Sequence, residues 1–244
     1  MIKKITKLIL MAPLRIVIVG GGSSGWISAA TMLGVPNSEV TLIESPNTPT
    51  IGVGESTISG FVDWMNLVGI QPEDMMRDTD ASYKLAIKFE NFVGPGHECY
   101  YPFGTCILDK DKYKTWERRR IVAPEIHQPF ADSFFANMAL IRQNKIKKDS
   151  NIFQHNCYAL HFDASKFGIW LRDNYCLPRG VKHIQMDVKR TEVNDAGIEF
   201  LELSDGTQLS ADLFIDCTGF KSLLLEKGLG VPFIDYSNVI PNNM

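Results

Sequence analysis

Apolar residues fall in two kinds of run along the chain, and the difference sorts its strands. Leu14 to Val19, LRIVIV, is a short β-branched run without polar alternation, which predicts a parallel strand buried on both faces. Val40 to Glu44, VTLIE, predicts a second such strand, with the helical composition of ISAATML between the two. Further on, QMDVKRTEV is strand-like. Ile198 to Asp212, IEFLELSDGTQLSAD, alternates around Asp205-Gly206 and predicts a hairpin. Leu213 to Gly219, LFIDCTG, predicts another buried strand, returning to the sheet beside the first. The architecture expected is α/β, a Rossmann-type domain with an additional β-rich segment.

The first strand runs directly into Gly20, Gly21, Gly22, Ser23, Ser24 and Gly25, so that strand, GxGxxG and helix come in order. Gly20 permits the tight turn, Gly22 lets backbone N–H groups approach a diphosphate, and Gly25 allows the helix to pack closely on the strand. Glu44 ends the second strand nineteen positions beyond Gly25, where a carboxylate accepts hydrogen bonds from ribose hydroxyls and repels a 2′-phosphate. This is a dinucleotide fingerprint. NAD and FAD share it, and the loop alone does not choose between them.

Composition removes several other classes. Among 244 residues, 45% hydrophobic and 22% charged with a formal charge of −3, there is material for a sizeable core and no basic excess that would bind nucleic acid. The five cysteines are odd in number and lack a CxxC pair, so neither a disulfide framework nor a zinc site is expected, and a reducing cytoplasm fits best. The five histidines form no HExxH, no GxSxG is present, and no metal is expected. No apolar run approaches the roughly twenty residues needed to span a bilayer. The opening MIKKITKLILMAP has no small-residue cleavage site after its apolar stretch and reads as an N-terminal extension over residues 1–13, with Met11 as an alternative start. Asp109 to Arg120, DKDKYKTWERRR, has its basic charge diluted by acids and reads as a solvated helix face. Lys145 to Lys148 reads as an exposed loop.

Several motifs together resemble the flavin-dependent halogenases of the tryptophan-halogenase family. The chain carries GGGSSGW from Gly20, where the family reads GGGxxGW. IGVGESTI from Ile51 is similar to IGVGEATI, and YKLAIKF from Tyr83 to FKLAIKF. ALHFDASKFGIWLRD, Ala159 to Asp173, is similar to the family's HFDA segment, and SADLFIDCTGFKSLL, Ser210 to Leu224, to ADLFIDCSGFRGLL. Only the middle, about Gly94 to Asn156, matches poorly.

The resemblance implies that residues 14–244 are the FAD-binding part of a halogenase-like module, with reduced FAD supplied by a separate flavin reductase. It implies that Gly20, Gly22, Ser23, Ser24 and Gly25 cradle the diphosphate and that Glu44 holds the ribose. Val53 and Ser56 fall in a strap facing the cofactor, and Val188 meets the adenine through its backbone or simply packs in the core. Oxygen, halide and reduced FAD then yield hypohalous acid, which Lys84 activates by hydrogen bonding or captures as a chloramine before it reaches an electron-rich, aromatic substrate. Composition alone does not separate Lys84 from Lys88, and Glu55 is a second carboxylate of interest that serves equally well as a loop cap. His161 reads as a packing residue at a strand end. The family's WxWxIP signature, its glutamate paired with the lysine and its halide site have no counterpart within these residues. Three readings therefore stay open: a halogenase, a flavin monooxygenase or dehydrogenase on the same domain, and a non-catalytic flavin module or one half of a split enzyme completed by a C-terminal chain. For that last reading, exposed apolar surface near the C-terminal end is expected.

Overall fold

The computed structural model describes residues 12–49, 56–146 and 158–240, so most of the 1–13 extension lies outside the described residues. In chain order the strands are β1 (Leu14–Val19), β2 (Ser38–Glu44), β3 (Ser82–Lys84), β4 (Ala86–Glu90), β5 (Glu98–Pro102), β6 (Ala159–His161), β7 (Lys182–Gln185), β8 (Val188–Asn194), β9 (Gly197–Leu203), β10 (Gln208–Leu209) and β11 (Leu213–Asp216). The helices are α1 (Ser23–Met32), α2 (Ser59–Val68), α3 (Pro72–Met75), α4 (Lys110–Val122), α5 (Phe130–Phe134), α6 (Asn137–Arg142) and α7 (Ala164–Trp170), the last continuing as π-helical backbone over Leu171–Cys176. They divide between two compact units, one within Met1–Val53 and Ala164–Met244, the other within Gly54–Asp163.

The first unit is built on a parallel sheet in the order β11-β1-β2-β7. Ile16, Ile18 and Leu42 are fully buried on the face that carries α1, whose Trp26, Ala29 and Ala30 are buried too. Val17, Val19 and Ile43 point the other way, into a core completed by Leu201 and Leu203 of β9 and by Leu224. Covering both faces is why LRIVIV carries no alternation. The layer over the second face is the expected β-rich segment, an antiparallel sheet β10-β9-β8 whose β9–β10 hairpin turns at Asp205-Gly206, Gly206 having a φ of +89° that suits glycine. The strand-like QMDVKRTEV breaks at Met186–Asp187, between the parallel sheet and this second one.

β11 lies beside β1 in parallel register, Ile16 opposite Leu213 through Val19 opposite Asp216. It is half-buried rather than fully buried as LFIDCTG suggests, because it is the edge of the sheet among the described residues and Leu213 is exposed. Asp216 ends the strand and organises the turn beyond it. One carboxylate oxygen accepts from the Thr218 N–H and hydroxyl, and the other from the N–H groups of Leu224 and Leu225. Burial pushes this carboxyl upward, but the Thr218, Leu225 and Leu224 donors outweigh it and leave the pKa below the ordinary aspartate value. A depressed native pKa means that the contribution is present above the unfolded value of 3.8 and is lost as pH falls through the native one. Asp216→Ala is expected to lower stability by about 2–4 kcal/mol near neutral pH, with a gap that narrows on acidification, read by denaturant melts across pH.

The second unit holds two antiparallel strand pairs, β3 with β6 and β4 with β5. Helix α2 ends at Gly69, whose φ of +75° lets the N–H groups of Gly69 and Ile70 close on the Asn66 and Met65 carbonyls. Helix α4 is capped by the Asp109 side chain on the Asp111 and Lys112 N–H groups and buries no residue, matching the solvated face read from its charges. Of the loop at Lys145 to Lys148, Lys145 and Ile146 are described, and both are exposed.

Candidate functional site

In the first unit the turn from β1 into α1 is packed so closely that side chains are excluded. The Gly20 N–H donates to the Ile43 carbonyl at 2.8 Å, setting the loop against the end of β2. Gly20 has a φ of +117°, and a Cβ there would lie 2.2 Å from the Cys217 carbonyl oxygen, just beyond β11. A Cβ on Gly25 would fall 1.8 Å from the Gly20 carbonyl oxygen, so α1 reaches β1 only with glycine at this point. Gly22 is the N-cap of α1, and no side chain there caps the first turn.

The run of three glycines has a further reason that the fingerprint does not assign. A Cβ on Gly21 would lie 2.1 Å from Cδ of Glu44, so the carboxylate rests directly over the loop. Glu44 also shares a 2.9 Å hydrogen bond with His183 of β7. The Ser23 hydroxyl donates to the Ala164 carbonyl at 3.3 Å, leaving its backbone N–H as the group available to a ligand at the helix end, while Ser24 is exposed. Val188 opens β8 opposite Leu203, with its side chain packed against the core under the sheet. Val53 and Glu55 lie outside the described residues.

In the second unit the two lysines of YKLAIKF have different fates. Lys84 is the last residue of β3 and is buried, 8% exposed. Its ammonium donates to the Ser56 hydroxyl at 2.7 Å and to the Thr57 carbonyl at 3.0 Å, and stands 5.4 Å over the Phe103 ring. Burial lowers its pKa from the ordinary lysine value of 10.5. Lys88 is on β4, exposed and bonded to the carboxylates of Glu90 and Glu98. Those partners hold its pKa above the ordinary lysine value. The segment breaks at Leu85, whose carbonyl accepts from the Phe103 N–H at 2.9 Å and from the Asn137 amide at 3.3 Å.

Ser56, expected in a cofactor strap, thus binds Lys84 through its side chain and bridges to His161. Thr57 continues this bridge, its N–H and hydroxyl meeting the Leu160 backbone. His161 ends β6 with its side chain exposed rather than packed, although its backbone pairs with Ser82 and bridges to Ser56. Partial desolvation and the Lys84 ammonium hold its imidazole below the ordinary histidine value of 6.5. Sequence reasoning singles out none of Phe103, Asn137 and Thr57; Asn137 is buried and carries no local mark of its role. Ser56→Ala removes one acceptor from an ammonium already disfavoured by burial, so the Lys84 pKa is expected to fall further. At fixed pH below that pKa, acylation of Lys84 should accelerate about 3–10-fold by peptide mass spectrometry, with Lys88 unchanged.

Among the described residues, no group of three His, Cys, Asp or Glu is placed to hold a metal, and no helix is long and apolar enough to cross a membrane. Toward the C-terminal end, Phe220 is 99% and Phe233 82% exposed, with Ile234, Tyr236, Val239 and Ile240 also open. The expected apolar surface is present there.

Comparison with known proteins gives this arrangement a family. Residues 15–244 match the family model described as tryptophan halogenase. The chain is 31% identical over 95% of its length to tryptophan 6-halogenase SttH of Streptomyces toxytricini, covering 49% of that protein. It is 32% identical over 94% of its length to tryptophan 7-halogenase RebH of Lentzea aerocolonigenes, covering 47%. Among solved structures, the apo structure of VirX1 superposes with a TM-score of 0.82 at 38% identity, over 92% of this chain and 46% of that one. The chain spans about half the length of the relatives it matches. From the strand and glycine loop at its start to the Asp216 turn near its end, the chain belongs to the tryptophan halogenase family.

Proposed function

We propose that this chain forms the flavin-binding and lysine-bearing part of a halogenase acting on an electron-rich aromatic substrate, with halide, oxygen and reduced FAD from a separate flavin reductase. The observation that carries the reading is the contrast between the two lysines. Among the described residues, a buried Lys84 donates only to a hydroxyl and a carbonyl, whereas an exposed Lys88 is neutralised by two carboxylates. An ammonium has three N–H donors, and two are committed at Lys84 to Ser56 and Thr57. The third serves to donate to the oxygen of hypohalous acid and polarise its halogen toward the substrate ring.

A dinucleotide fits the first unit by the same kind of argument. The crowding at Gly20, Gly21 and Gly25 supports a backbone-lined cradle, the uncapped start of α1 favours a diphosphate, and Glu44 stands ready for ribose hydroxyls. In this reading Gly22, Ser23 and Ser24 offer backbone N–H groups, Val53 and Ser56 belong to a strap beside the cofactor, and Val188 lines the adenine with its backbone. When bound, reduced FAD supplies two electrons to oxygen, so that halide is oxidised to hypohalous acid and water is released. Relatives named for halogenation of tryptophan at different ring positions support an indole or similar ring, and the cytoplasm suits a protein fed by a diffusible reduced flavin.

The exposed apolar residues from Phe220 to Ile240 favour one addition: turnover uses a further polypeptide portion, corresponding to the other half of the relatives, joined to this chain or supplied separately. The test is a single assay of this chain with reduced FAD, chloride or bromide, oxygen and an aromatic panel, run with and without the second half of a relative. Halogenated product in either arm supports the reading. Hydroxylated product that survives loss of Lys84 would replace it with a monooxygenase.

A further inference from the structure

The carboxylate of Glu44 has a hydrogen bond on one side and the glycine loop close by on the other, and a different oxygen faces each. Oε2 meets Nε2 of His183 at 2.9 Å. Oε1 lies on the loop side, where a Cβ built on Gly21 would stand 2.3 Å from it. His183 is on β7, next to β2 in the sheet, and its register partner is Leu42, so its ring reaches the carboxylate from the neighbouring strand. That ring is fixed in turn by Trp26, the tryptophan that closes GGGSSGW, which packs edge-on at 5.1 Å between centroids and is itself 1% exposed. The side chains of His183 and Glu44 are largely buried, so the hydrogen bond is sheltered from water.

We infer that His183 is a positioning residue for dinucleotide recognition, which occupies Oε2 of Glu44 and thereby turns Oε1 onto the glycine loop to receive the ribose hydroxyls. The inference rests on the proposed dinucleotide site and extends it to a residue that the fingerprint does not contain. Without the imidazole, the carboxylate is free to rotate about its side-chain torsions, and the hydroxyls then meet an acceptor that must be ordered on binding. The role asks only for an N–H donor at that place, which the imidazole supplies from Nε2. It also gives Trp26 a part in the site, by way of the histidine ring.

The experiment compares ADP with 2′-deoxy-ADP on the purified chain by calorimetry, because the two probes differ only in one hydroxyl offered to Glu44. The unsubstituted chain is expected to prefer ADP about tenfold, the scale of one hydrogen bond to a charged acceptor. In His183→Leu, which keeps an apolar side chain against Trp26, that ratio should collapse toward one, with 2′-deoxy-ADP, which still offers its 3′-hydroxyl to Glu44, weakened less than ADP. His183→Gln, which restores an N–H donor, should recover the preference. Equal weakening of both probes in His183→Leu, or an unchanged ratio, would overturn the positioning role. Failure of the unsubstituted chain to bind ADP or FAD at all would instead overturn the dinucleotide reading beneath it.

Discussion

Lys84→Ala is expected to lower halogenated product by about 10²- to 10³-fold in whichever assembly turns over, the scale for removing one buried donor aimed at developing charge, while FAD affinity stays within a factor of two. The break at Leu85 is what sets this lysine apart. A continuous strand through YKLAIKF would present Lys84 and Lys88 on one face, since they stand four positions apart. Instead β3 pairs with β6 and β4 pairs with β5, so the two ammonium groups enter different surroundings. Lys84 keeps one N–H uncommitted by Ser56 and Thr57 beside the Phe103 ring. Lys88→Ala should therefore cost less than about twofold in product, because an exposed ion pair contributes little. A lowered pKa at Lys84 also has a direction in pH. Donation requires the ammonium, so product formation through a hydrogen bond should fall as pH rises through the depressed value, whereas capture as a chloramine requires the free amine and should rise. A pH profile of single-turnover product separates the two.

Gly25→Ala is expected to have the largest effect on the first unit, with stability lower by about 3 kcal/mol or more and FAD affinity down by well over tenfold. The added methyl would sit 1.8 Å from the Gly20 carbonyl oxygen, and that atom is backbone, with no rotamer to move aside. Relief requires α1 to retreat from β1, which opens the packing of Trp26 and Ala29 and draws the helix N-terminus away from a bound diphosphate. Gly21→Ala provides the contrast. Its Cβ collides with the Glu44 side chain, which can swing away only by giving up its hydrogen bond to His183, so stability should fall by about 1–2 kcal/mol, less than for Gly25→Ala, while FAD affinity still falls several-fold. Thermal melts and FAD titrations of the two variants side by side test whether helix packing and ribose recognition are separable at adjacent ends of one loop.

The parts of this protein that local chemistry specifies are legible in its sequence. A strand covered on both faces must read as an unbroken apolar run, and Ile16–Val19 does. A hairpin facing a core on one side must alternate, and the residues around Asp205-Gly206 do. β11 lies beside β1 as LFIDCTG predicts, yet it is less buried than the run implies, because an edge strand and a central one can carry the same apolar residues. The features that escape a reading of the sequence are set by contacts distant along the chain. The difference between Lys84 and Lys88 goes with a break at Leu85, whose carbonyl accepts from the distant Phe103 N–H and Asn137 amide, and nothing around Asn137 marks it for that contact. His183 lies in a short edge strand among ordinary strand residues, yet the parallel register sets it against Glu44. His161 reads as packing from its place at a strand end, yet its side chain is exposed while only its backbone is engaged by Ser82 and Ser56.

That this chain holds FAD on its glycine loop is tested most directly by equilibrium binding, measured by flavin fluorescence and repeated with Gly25→Ala and Glu44→Ala. Saturable one-to-one binding is expected, weakened at least tenfold by either substitution, and in Glu44→Ala without loss of fold. Absence of FAD binding by the folded chain, or binding that neither substitution alters, would contradict it.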